Sequence, residues 1–183
     1  AYPTKNHIIT TRVEHPAVIE TCKSLERLGY RITLLDVDTD GNINIDDLKK
    51  AINDNTAIVS IMYANNETGV IFPVKEIGEI VKNAGAVFHV DAVQAIGKIA
   101  TDDYLTDRVD FATFSGHKFH SVRGVGFIYK KAGKKISPLL NGGGQEAGFR
   151  STTENVAGIA AMAKALRIVL DKAKIGQKQL LAM

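Results

Sequence analysis

Lys118 closes the run Phe114-Ser115-Gly116-His117-Lys118, and upstream the cluster Asp91-Ala92-Val93-Gln94 ends an apolar, strand-like stretch. A lysine amine forms an imine with an aldehyde. A carboxylate held against a pyridine nitrogen keeps that ring charged, so that it withdraws electrons from a carbanion. A lysine and an aspartate of this kind, in this order, suggest a site for pyridoxal phosphate. Neither cluster specifies it alone: an isolated Gly-His-Lys is more often a surface lysine at a helix end, and an aspartate after a strand is more often a helix cap.

Positioning such groups requires a scaffold, and the chain has the texture of one. Short apolar and β-branched runs at Ile8–Val13, Ile32–Val37, Ala57–Met62, Ala86–Val90 and Phe111–Phe114 are bounded by Gly, Asn or Asp, as expected of strands buried on both faces. Helical patterns separate most of them. Pro16–Leu28 opens with proline in a first turn and stops at Gly29, a short helix starts at Ile45-Asp46-Asp47-Leu48, and another runs from Pro73 to Ala84. This alternation predicts an α/β fold, a mostly parallel sheet with flanking helices. Gly124–Tyr129 reads as a further strand, Lys130–Lys134 as an exposed turn, and Asn141-Gly142-Gly143-Gly144-Gln145 as a flexible loop. A long helix is expected over Asn155–Leu170, continuing into the tail Asp171–Met183.

In an open parallel sheet, ligands bind beyond the carboxyl ends of the strands. His15 follows the first strand run, Asn65-Asn66-Glu67 the third, Asp91 and Gln94 the fourth, and Ser115, His117 and Lys118 the fifth. The reactive groups therefore converge on one sheet edge, and it is this joint placement that points to a site.

Composition narrows the functional classes. With 183 residues, 45% of them apolar, the chain suffices for one unit with a continuous core. The net charge is only +3 and the basic residues are scattered among acids, so no nucleic-acid partner is expected. Cys22 is the single cysteine, which rules out an intramolecular disulfide and any CxxC motif; on a helix it reads as a small buried thiol in a reducing compartment. No apolar run approaches membrane-spanning length and Ala1–Lys5 lacks a secretory pattern, so a soluble cytoplasmic protein is expected. The chain begins without methionine and its first strand-like run starts almost at once, from which a preceding segment is expected. A metal site from His89, Asp91, His117 and His120 is an alternative reading, weakened because His120 lies beyond the lysine.

The sequence resembles the large domain of cysteine desulfurases of the NifS and IscS group, within the fold-type I pyridoxal phosphate enzymes. The stretches that carry the resemblance are Thr11-Arg12-Val13-Glu14-His15-Pro16-Ala17-Val18, Asn65-Asn66-Glu67-Thr68-Gly69, His89-Val90-Asp91-Ala92-Val93-Gln94-Ala95-Ile96-Gly97-Lys98, Ser115-Gly116-His117-Lys118, Gly142-Gly143-Gly144-Gln145-Glu146, and Arg150-Ser151-Thr152-Thr153-Glu154-Asn155. They span nearly the whole chain but under half of a complete family member.

The resemblance implies that Lys118 binds the cofactor covalently and moves protons at the substrate α-carbon, which burial beside a cationic cofactor would favour. It implies that Asp91 pairs with the ring nitrogen and Gln94 donates to the ring hydroxyl oxygen. His15 would stack on the ring and serve as acid or base, unless it merely caps the following helix. Ser115 and His117 would donate to the cofactor phosphate, and Asn66 would contact the cofactor oxygen and bound substrate. Thr153 is similar to the threonine that reaches the phosphate of a neighbouring subunit's cofactor, which makes a homodimer the expected assembly. L-Cysteine is the implied substrate, and an iron–sulfur scaffold or another sulfur acceptor the implied partner.

Two features depart from the family pattern. Phe119-His120-Ser121-Val122-Arg123-Gly124 replaces a Gly-Pro-Lys-Gly type of turn, and Thr152 stands where glycine is common. The N-terminal phosphate loop and the C-terminal small domain with its persulfide-forming cysteine and carboxylate-binding arginine have no match here. Residues 1–183 are therefore expected to be a cofactor-binding large-domain fragment, inactive alone. Selenocysteine lyase, kynureninase-like and aminotransferase activities share the lysine, the aspartate and the sheet, and a non-catalytic domain that kept the fold is a further alternative.

Overall fold

The computed structural model describes residues 4–180, with side chains described as far as residue 173. Six strands form one sheet: β1 (His7–Thr11), β2 (Arg31–Leu35), β3 (Thr56–Met62), β4 (Val87–Asp91), β5 (Phe111–Ser115) and β6 (Gly126–Lys130), in the spatial order β2-β1-β3-β4-β5-β6. The helices are α1 (Pro16–Arg27), α2 (Ile45–Ala51), α3 (Val74–Asn83), the single turn α4 (Thr101–Tyr104) and α5 (Val156–Leu180). The expected α/β architecture is the one observed. The long C-terminal helix extends past Leu170 to Leu180, and the last residues of the expected tail, 181–183, lie outside the described residues.

Neighbouring strands from β2 to β5 are parallel, and only the β5–β6 pair is antiparallel. A parallel crossover needs about a dozen residues or more. Residues 116–125 are too few for one, so the chain turns back beside β5. Gly126 makes the close pairing feasible, since a Cβ there would sit 2.5 Å from the Phe114 carbonyl oxygen. The antiparallel edge was not legible in the strand pattern alone.

Helix boundaries follow local chemistry. His15 caps α1, its Nδ1 accepting from the Ala17 amide at 3.1 Å, while Pro16 fills the first position, where its missing N–H costs nothing. Gly29, with φ 91°, ends that helix in the left-handed region that glycine adopts without strain. Asn44 caps α2 by accepting from the Asp46 amide at 2.9 Å.

Central strands are apolar because both faces are covered. Ile9, Val59, Ile61, Phe88, Val90 and Ala112 are buried in one cluster with Val74, Ile77 and Val81 of α3. At the amino ends of the strands, His7 is fully buried. Its Nδ1 lies 3.1 Å from both the Arg31 guanidinium and the Asn53 amide nitrogen, and its Nε2 lies 2.8 Å from Thr33 Oγ1. Two donors on Nδ1 put the ring proton on Nε2, and burial together with Arg31 pushes the imidazole pKa down.

Ile61 is fully buried on β3, in the middle of the sheet. Truncation to alanine removes buried methyl groups that the packed strands cannot collapse to replace. Ile61→Ala is expected to cost about 3 kcal/mol, read as a lower urea midpoint at unchanged slope.

Candidate functional site

The parallel register sets the level at which each strand ends. Met62 pairs with Asp91 and Asp91 with Thr113, so the carboxyl ends of β3, β4 and β5 form a common rim. A cavity of about 620 Å³ opens along this rim and beneath α1. His15 after β1, Asn66 after β3, Asp91 and Gln94 at the end of β4, and Ser115, His117 and Lys118 after β5 all line it. Apolar walls come from Ile8, Val18, Leu25, Ile58 and Met62.

Each polar group is held by a short-range device. Asp91 Oδ1 accepts from the Val93 amide at 3.0 Å, which fixes the carboxyl and leaves its second oxygen outside that bond. Gln94 Oε1 accepts from Lys98 Nζ at 2.7 Å, so the amide NH₂ is the end free to donate. Asn65 builds the turn that presents Asn66: its Oδ1 accepts from the Glu67 and Thr68 amides, each at 2.9 Å, and its Nδ2 donates to the Val13 carbonyl at 3.0 Å. His15 both caps α1 and borders the cavity, so its capping role does not remove it from the site.

Lys118 and His117 ride on a 3-10 turn, Gly116–Phe119, that the sequence pattern did not reveal. Phe119 buries its ring and anchors the turn, and a Cβ at Gly116 would approach the Val125 carbonyl to 3.0 Å. His120 ends the turn at φ 68°, and the Ser121 amide donates to the Gly116 carbonyl at 3.0 Å, so the departure at 119–124 still closes a defined loop. Ser115 Oγ and His117 Nδ1 lie 3.0 Å apart. His117 and Lys118 are exposed, so these residues by themselves do not supply the burial expected around the lysine. Thr153 lies away from the cavity, exposed in the loop before α5.

Several further residues at the site stand in the stretches that carry the resemblance without having been given a role there. His89 stands below Asp91 on the same face of β4, with Nδ1 2.8 Å from Ser60 Oγ and Nε2 3.2 Å from Thr113 Oγ1. It ties the three central strands together, and burial pushes its pKa down although the nearby Asp91 charge opposes this. Glu14 is buried behind His15, and burial raises its pKa to about 7 against hydrogen bonds from the Met62 amide and the Thr11 hydroxyl. Cys22 lines the cavity on α1, its pKa raised by burial and then by Glu14. Lys98 has its pKa lowered by burial and by the charge of Lys118. Among the described residues, no group of three or more His, Cys, Asp or Glu side chains is arranged to hold a metal ion. Nor is any described helix long and apolar enough to cross a membrane.

The family model for aminotransferase class-V matches residues 1–182. A cysteine desulfurase of Nostoc sp. is 52% identical over 170 residues, and a NifS/IcsS protein homolog of Lactobacillus delbrueckii subsp. bulgaricus is 54% identical over 169. These alignments cover 93% and 92% of this chain but 42% and 44% of the relatives, so the chain spans less than half of their length. Among solved structures, a NifS-like protein superposes with a TM-score of 0.90 at 45% identity, covering 96% of this chain and 48% of that one. SspA in complex with cysteine gives a TM-score of 0.82 at 34% identity, covering 89% of this chain and 47% of that one.

The His89 rung makes stability depend on pH with a definite sign. Because its folded pKa is depressed below the ordinary imidazole value of 6.5, the unfolded chain takes up a proton below that pH that the folded chain refuses. Stability falls as pH drops below 6.5, toward the folded pKa. His89→Gln removes this contribution. Between those limits the wild-type unfolding free energy should lose up to about 1.4 kcal/mol more per pH unit than the variant, measured by chemical denaturation.

Proposed function

Because the chain belongs to the aminotransferase class-V family, we propose that it forms the cofactor-holding large-domain part of a pyridoxal phosphate-dependent cysteine desulfurase. The observation that carries this reading is the meeting of Lys118, Asp91, Gln94, Ser115 and His117 on one largely apolar cavity. That donor set suits the cofactor group by group: an amine for the aldehyde, a carboxylate with an oxygen to spare for the ring nitrogen, an amide NH₂ for the ring hydroxyl, and hydroxyl and imidazole donors for the phosphate. The volume also suits a small molecule, for which sites of about 300–1,000 Å³ are usual.

When bound, pyridoxal phosphate supplies a ring that withdraws electrons from the substrate α-carbon. Lys118 would hold the aldehyde and, as a free amine, would take and return the proton at that carbon. Asp91 keeps the ring nitrogen charged through the oxygen that Val93 leaves free, and Gln94 donates through the end that Lys98 leaves free. His15 would lie beside the cofactor, with its Nδ1 held by the Ala17 amide and its Nε2 available for proton transfer. Asn66 contacts substrate at the rim.

L-Cysteine is the substrate we assign, supported by the relatives named cysteine desulfurase and by the neighbour solved with cysteine. A cysteine thiolate from a small domain beyond these residues would attack the substrate sulfur, forming an S–S bond as the substrate Cβ–S bond breaks, with the electron pair returning to carbon and a proton added there to give L-alanine. L-Alanine leaves, and the enzyme persulfide passes sulfur to an iron–sulfur scaffold or another acceptor in the cytoplasm. A homodimer is the assembly that gives Thr153 a role, since it is exposed and outside its own chain's cavity. Leu139, 93% exposed, together with Phe149 and Val156, offers apolar surface in the same part of the chain for such a contact.

The test is chemical. The full-length protein carrying these residues is incubated with pyridoxal phosphate, reduced with borohydride and mapped by peptide mass. The adduct is expected on Lys118 and absent in Lys118→Ala; labelling of another lysine instead would end the assignment. Asp91→Ala is expected to keep the adduct yet lower kcat for sulfide release about 100-fold, equivalent to about 2.7 kcal/mol of barrier.

A further inference from the structure

Glu14 precedes His15 and is 6% exposed. Its Oε1 accepts from Thr11 Oγ1 at 2.9 Å and from the Met62 amide at 2.9 Å, while its Oε2 is buried without a partner. Since Met62 is the register partner of Asp91, the carboxyl joins the end of β1 to the end of β3, next to the Asp91 strand. The titratable groups that face it are Asp91 from β4 and Cys22 from α1; from β1 and β3 it meets only the neutral Thr11 hydroxyl and Met62 amide. Among the described residues no cation forms an ion pair with it.

A buried anion with one bare oxygen is far more costly than a neutral acid with one unpaired O–H. The Asp91 charge and the burial work in the same direction, and together they outweigh the two donors on Oε1. Of two neighbouring carboxyls, the environment favours ionising only one.

We propose that Glu14 is a positioning residue for this site: through Oε1 it clamps the chain end that carries His15 to the strand end beside Asp91, and its buried, unpartnered Oε2 holds a proton, so that Asp91 is the single anion facing the cofactor ring. The role rests on reading the cavity as a pyridoxal phosphate site. Ionising Glu14 would place a second buried negative charge behind Asp91, in a cavity that must accept a phosphate-bearing ligand of net negative charge, while the two bonds to Oε1 would persist. Cofactor binding should therefore weaken as Glu14 loses its proton.

Two measurements on the full-length protein test this. In the cofactor-free protein labelled with ¹³C-glutamate, the carboxyl resonance that disappears in Glu14→Gln should titrate with a midpoint near neutral pH, and a midpoint in the ordinary carboxylate range would overturn the inference. In fluorescence titrations with pyridoxal phosphate, the ratio of wild-type to Glu14→Gln Kd should be near one under mildly acidic conditions. It should rise about fivefold or more under mildly alkaline ones. A ratio that stays constant with pH would equally overturn the inference. Thr11→Val, which removes a donor that favours the ionised form, gives a second handle should Glu14→Gln fail to fold. It should raise the glutamate midpoint and carry the pH dependence of Kd with it; independent movement of the two would overturn the proposal. An ordinary midpoint with cofactor still bound defeats this inference alone. A near-neutral midpoint with no cofactor binding at any pH defeats the cofactor reading, and the role of Glu14 with it.

Discussion

His89 bridges Ser60 and Thr113 one step below the rim, and this rung is the constraint on which the site depends. Backbone hydrogen bonds hold parallel strands side by side, but a one-residue slip would send alternate side chains to the opposite face. The imidazole adds a side-chain lock across β3, β4 and β5 at the register where Met62, Asp91 and Thr113 are level. Asp91, two residues on and on the same face, inherits that position. Both partners are hydroxyls that can donate or accept, so the rung forms with a neutral ring in either tautomer, and burial favours that neutral form.

Polar groups at the rim divide their hydrogen-bonding capacity between structure and chemistry. Asp91 spends one oxygen on the Val93 amide, Gln94 spends its carbonyl on Lys98, and His15 spends Nδ1 on the Ala17 amide. In each case the structural bond fixes orientation and leaves the opposite end unspent. Held side chains lose little further rotamer entropy when a ligand arrives, which is the physical content of preorganisation. Asn65 shows the limiting case: its Oδ1 is used within the turn and its Nδ2 on the Val13 carbonyl, and its neighbour Asn66 is the one left for the cavity.

Much of this was legible because the signals were local. Proline at the start of α1, Gly29 at its end and β-branched runs bounded by turn residues fix the elements within a residue or two. The rule that ligands sit beyond strand ends then gathers His15, Asn66, Asp91, Gln94, Ser115, His117 and Lys118 from sequence order alone. What stayed hidden was set by contacts distant in sequence. His89 was readable only as a metal-ligand candidate, because Ser60 and Thr113 are separated from it by 29 and 24 residues. Glu14 looked like an ordinary motif acid until the Met62 amide, 48 residues away, closed on it. The antiparallel direction of β6 and the 3-10 turn before it follow from tertiary packing rather than periodicity.

That packing explains how a lysine on a loop gains a defined place. A parallel successor to β5 would demand a long crossover, and Lys118 would then sit at the start of a mobile connection. The return to β6 instead forces a tight turn, and aromatic packing holds it from below. Phe114 stacks on Phe127 with ring centroids 4.4 Å apart, and Phe119 meets Phe127 edge-on at 6.3 Å. These rings tie the end of β5, the turn and the start of β6 into one block, with additional contacts from α5 to the turn. A reactive amine presented this way has a fixed base and a free tip. The sheet fixes Asp91 and the turn fixes the root of Lys118, while the long, exposed side chain keeps its rotamer freedom at the cavity.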